Sequence, residues 1–135
     1  MKTSTLLKHI KNEAKYIRDN APEEGLERLN RFLKTYKIAP SHSSECIYGV
    51  IFGYCFASEA VLFLSKAPTV FYSRICLPLK ESFPTKRANF DPEEQKRPFT
   101  ALELFINRER DQIPIITDYL LGKRKTLPLK ISGND

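Results

Sequence analysis

Two histidines and three cysteines bound the nucleophilic and metal chemistry open to this 135-residue chain. His42 and Cys46 stand four residues apart, a spacing that on one helical face could orient two metal ligands, or a thiolate beside its base. Two ligands fall short of a zinc site, and no further pair lies nearby in sequence. The pair therefore reads as a loop histidine beside a buried cysteine, and no metal is expected. Cys46, Cys55 and Cys76 form an odd set without C-x-x-C spacing. A disulfide framework is not expected, and a reducing cytoplasm is the default compartment. The first residues, Met1 to Thr5, run into a charged amphipathic segment instead of the apolar stretch of a secretory signal.

Carboxylates offer little more. Glu23 and Glu24 suit a helix start, and Glu93 and Glu94 fall in a polar stretch, so both pairs read as solvated. Glu59 is the one acid inside an apolar run. Burial would raise its pKa unless it pairs, whereas an outward position near a helix end, or a partner such as Arg74, would leave it ordinary. Gly25, Gly49, Gly53, Gly122 and Gly133 fit neither phosphate-binding glycine pattern. Nucleophile elbows, zinc-protease helices and calcium loops are likewise missing from the sequence. The reading is non-enzymatic, with no cofactor.

Basic residues remain. Lys86, Arg87, Lys96 and Arg97 flank a long polar stretch, Arg108 and Arg110 follow it, and Lys123, Arg124 and Lys125 come after the last helical region. Brought together, they would attract phosphate, with Phe83, Phe90 and Phe99 as stacking surfaces. Glu93, Glu94, Glu103, Glu109 and Asp111 are interleaved with them and blunt the field. The net charge of +6 permits an acidic partner without requiring one.

The elements that must position these residues follow from periodicity. Leu6, Leu7, Ile10, Ala14 and Ile17 predict an amphipathic helix over roughly 5–19, stopped by Pro22. Asn20 should cap a second helix, with Leu26, Leu29, Phe32, Leu33 and Tyr36 as one stripe ending near Lys37. From Cys46 to Leu64 a single charge interrupts nineteen residues. A core helix or a membrane span would bury such a run, and its short length, Glu59 and the lack of a second span favour the core. Gly49, Gly53 and Ala57 recur every fourth residue along it, a smooth strip for close helix packing. Burial of Leu62 and Phe63 would make truncation of either cost about 2–5 kcal/mol. Segment 69–77 has strand-like content, 78–98 reads as a long exposed loop, and Thr100 with Glu103 forms a capping box. Pro114 should kink or restart the last helix, Gly122 should end it, and the remainder should be an extended, mobile tail.

The expected fold is mainly α, with four to five helices packed around a central hydrophobic helix at about 44–65 and room for one short strand or hairpin near 69–77. One globular domain would span 1–125, with 126–135 as the tail. In function the chain reads as a small intracellular protein–protein interaction module, of the adaptor, chaperone, inhibitor or immunity type, with a protein partner and no membrane association. The second reading is a nucleic-acid-binding protein using the C-terminal basic surface.

Overall fold

The computed structural model describes residues 3–38, 46–53, 57–68, 71–72, 84–85 and 99–131. Helix α1 (Thr3–Asn20) buries Leu6, Ile10, Ala14 and Ile17, each within one turn of the next. Its last bond runs from the Ala21 amide to the Ile17 carbonyl at 2.9 Å, and Pro22 ends it. Asn20 does not cap the following helix, because its side-chain amide turns back to the Tyr16 carbonyl at 2.9 Å and finishes α1. Helix α2 (Glu23–Leu33) opens after Pro22 with no side-chain cap, and Glu23 and Glu24 face the positive end of its dipole. It stops at Leu33, short of the expected Lys37. Tyr36 leaves the stripe and stacks on Phe32, with ring centroids 5.4 Å apart, while remaining 60% exposed.

The apolar run is two helices, not the single central helix expected at 44–65. Helix α3 (Ile47–Phe52) ends at Gly53, whose φ of 90° is left-handed, and helix α4 (Ser58–Lys66) starts after Ala57, whose ψ of 146° is extended. Neither conformation fits inside a continuous helix. Helix α3 buries Ile47, Tyr48, Gly49 and Ile51. Helix α4 buries only Ala60 and Leu64, half-buries Phe63 and leaves Glu59 and Leu62 exposed, so the expected burial of Leu62 does not hold.

Strand β1 (Phe71–Tyr72) lies inside the segment expected to hold a strand. It pairs antiparallel with β2 (Pro84–Thr85) on one side and β3 (Phe99–Thr100) on the other, Phe71 opposite both Thr85 and Thr100. Most of 78–98 is outside the described residues. Strand β3 passes directly into helix α5 (Ala101–Arg108), where the capping box is complete: the Glu103 amide donates to Thr100 Oγ1 at 3.2 Å, and the Thr100 amide donates to Glu103 Oε1 at 3.1 Å. After a 3-10 turn (Arg110–Gln112), helix α6 (Ile113–Leu120) restarts with Pro114 in its first turn. It closes at Gly122, φ 78°, with the Lys123 amide on the Asp118 carbonyl at 2.8 Å.

The architecture is mainly α, with six α-helices among the described residues. Helix α1 packs on α5 and α6, and α2 on α3 and α6. The C-terminal segment, expected to be mobile, is docked as far as residue 131. It has no helix or strand, yet Leu127 and Leu129 are buried, and Gln112 brackets the backbone of Lys130, accepting from its amide at 2.9 Å and donating to its carbonyl.

Candidate functional site

Ionisable side chains enter the interior as helix caps. Glu13 lies on the buried face of α1 and is fully buried. Its carboxylate accepts from the Leu102 amide at 3.0 Å, in the first turn of α5, and from the Tyr48 hydroxyl at 2.7 Å. Glu103, also fully buried, completes its own capping box with one oxygen and accepts from the Ile47 amide at 2.9 Å with the other. Each carboxylate therefore meets orphan donors at the positive end of a helix belonging to another element. Guanidinium groups perform the converse task. Arg28 donates to the Val50 and Ile51 carbonyls at the end of α3, and Arg110 Nη2 donates to the Leu33 and Tyr36 carbonyls, both at 3.0 Å, at the end of α2. Helix α3 has only six residues, too few to be stable alone, and it is held at both ends from outside. Cys46, buried, adds to this by accepting from the Gly49 amide at 3.1 Å.

The residues expected to form a packing strip lie elsewhere. Gly53 ends α3, Ala57 precedes α4, and only Gly49 is buried within a helix. The close helix contact is instead at Gly25, where a Cβ would stand 2.7 Å from both the Cγ2 and the carbonyl oxygen of Ile51. That places α2 directly against the end of α3.

Of the expected basic surface, Lys86, Arg87, Lys96 and Arg97 lie outside the described residues, as do His42, Phe83 and Phe90. Arg110 is engaged with the end of α2. Arg124 is half-buried, and Arg108, Lys123 and Lys125 are exposed. Among the described residues, no group of three or more His, Cys, Asp or Glu side chains could hold a metal ion, and no helix is long and apolar enough to cross a membrane.

Two surface features stand out. A notch of about 280 Å³ lies between the end of α2 and the start of α6, lined by Leu33, Lys34, Arg110, Ile113 and Pro114. Arg110, which lines the notch, also holds the carbonyl of Tyr36, whose ring is exposed. The second feature is a hollow on the outer side of α1, of about 380 Å³, lined by Ser4, Leu7, Lys8, Lys11 and Asn12.

An aromatic cluster ties α1 to the two middle helices. Phe63 packs against Tyr16, Phe52 and Tyr48 at centroid distances of 4.8, 5.2 and 5.9 Å, and the Tyr16 hydroxyl donates to the Phe63 carbonyl at 3.1 Å. Burial pushes the Tyr16 phenol above its ordinary pKa. Arg18 sits 4.4 Å over the Tyr119 ring and pairs with Asp19 at 2.9 Å, a bond that holds its proton more tightly. Compared with known proteins, the chain matches no family model, no curated protein and no solved structure.

Proposed function

We propose that the protein is a small, non-catalytic interaction module of the cytoplasm, of the adaptor, chaperone, inhibitor or immunity type. It receives a partner protein in the notch between α2 and α6. The observation that carries this reading is the chemistry of that notch: an apolar floor of Leu33, Ile113 and Pro114 and a cationic edge of Lys34 and Arg110, with exposed Tyr36 two residues along the chain from Lys34. Arginine and tyrosine are among the residue types that concentrate binding energy in protein interfaces. A peptide segment combining an apolar side chain with a carboxylate complements both parts. Arg110 is already fixed by the α2 carbonyls, so little ordering cost accompanies binding at that edge. Three cysteines without C-x-x-C spacing suit a reducing compartment.

Affinity capture from native lysate tests this, with the wild type beside a Lys34→Glu/Tyr36→Ala variant. Both positions are exposed, and the variant is compared once its thermal melt matches that of the wild type. The proposal expects a stoichiometric protein partner that the wild type recovers and the variant does not. Failure to recover one, or equal recovery by the variant, overturns it.

A further inference from the structure

We infer that the outer face of α1 binds the phosphate backbone of a nucleic-acid duplex. This surface is separate from the notch and from the C-terminal basic residues. At 3.6 residues per turn, Lys8, Lys11 and Lys15 fall within an arc of about 60°, on the side opposite Leu6, Ile10 and Ile17. All three lysines are exposed. Ser4 and Asn12 stand beside them, and together with Leu7, Lys8 and Lys11 they line the 380 Å³ hollow, which offers neutral donors next to two cations. Among the described residues of α1, the exposed acid is Asp19, at the far end of the helix and paired with Arg18. The positive field of the three lysines is therefore not cancelled within the helix.

The occupant follows from what this face has and what it lacks. Of the apolar side chains of α1, Leu6, Ile10, Ala14 and Ile17 are at most 1% exposed and only half-buried Leu7 reaches the hollow, and one leucine gives the helix no apolar side to sink into a bilayer. Its one aromatic, Tyr16, is turned to Phe63 and is not on the lysine face, so bases of a single strand find nothing to stack on. Lysine is depleted at protein interfaces, whereas a phosphate backbone asks only for point charges. Arg18, held by Asp19 and Tyr119, is not counted among the contacts.

Three phosphate contacts give a slope of log affinity against log salt of about −2.7, so binding weakens about 40-fold between about 50 and about 200 mM salt. The experiment is fluorescence anisotropy of a labelled mixed-sequence DNA duplex titrated with the full chain across that salt range. A Lys8→Gln/Lys11→Gln/Lys15→Gln variant with an unchanged melting curve is expected to lose this binding, while a Lys123→Gln/Lys125→Gln variant keeps it. Three results overturn the inference: no binding by the wild type at the lowest salt, unaltered binding by the triple variant, or equally tight binding to anionic phosphatidylserine vesicles.

Discussion

At the scale of single residues, the charged groups with the least access to water are the ones with defined tasks. Glu103 joins its own helix start to that of α3, so its two oxygens serve two backbone donors at once. Replacing it by glutamine keeps the shape but turns one acceptor into a donor facing an amide. We expect Glu103→Gln to lose about 1–3 kcal/mol in urea denaturation with an unchanged slope, the cost of leaving a buried amide without an acceptor. Tyr16 gives a pH-dependent counterpart. Its phenol is raised by burial above the ordinary value of 10.0, so in strong alkali the unfolded chain releases that proton first. The associated stability is full below that value and is lost as pH rises through the folded-state pKa. Tyr16→Phe should show a shallower alkaline decline of its thermal midpoint than the wild type.

Glu13 was legible in principle, because position 13 falls on the inward stripe of α1 between Ile10 and Ala14. A charge on an apolar stripe signals either an error of phase or a buried partner, and here the partners are Tyr48 and the start of α5. Those partners are 35 and 89 residues away in sequence, and a local pattern carries no information about them.

At the scale of elements, hydrophobic period and capping chemistry were enough to locate α1, α5 and the restart at Pro114. Such signals act within one or two turns, and these elements are defined within that range. The apolar middle was misread because uniform hydrophobicity has no phase. A helix buried all round and two short consecutive helices look alike, and Gly49 and Gly53 were the only glycines to punctuate the run. The phase of α4 can be tested by a contrast within it. Leu64→Ala should cost about 2–5 kcal/mol, whereas Leu62→Ala, at a position 57% exposed, should stay within about 0.5 kcal/mol of wild type. Gly25→Ala tests the crossing of α2 over α3. Alanine would gain about 1 kcal/mol of helix propensity, but its Cβ would meet the backbone of Ile51. Net destabilisation in thermal melts, with the overpacking cost of about 1–3 kcal/mol outweighing the propensity, is the expected outcome.

At the scale of the whole molecule, side chains of one helix close the ends of another, and a notch and a basic face are left to solvent. The notch could not be read from the sequence, since it joins Leu33 and Lys34 to Arg110, Ile113 and Pro114 across the fold. The basic residues singled out by local density were partly absorbed by structure, as at Arg110, while the regularly spaced lysines of α1 stayed in water. Tyr36 and Leu62 are the two large apolar side chains that stand well exposed among the described residues, and Tyr36 is the one whose backbone is tied to a notch residue, Arg110. The most direct measurement of the proposed role is site-specific photocrosslinking in cells, with a photoreactive residue placed at position 36 in one protein and at position 62 in another. The account predicts a discrete crosslinked protein from position 36 and none from position 62. Crosslinking from 62 alone, or from neither, would contradict it.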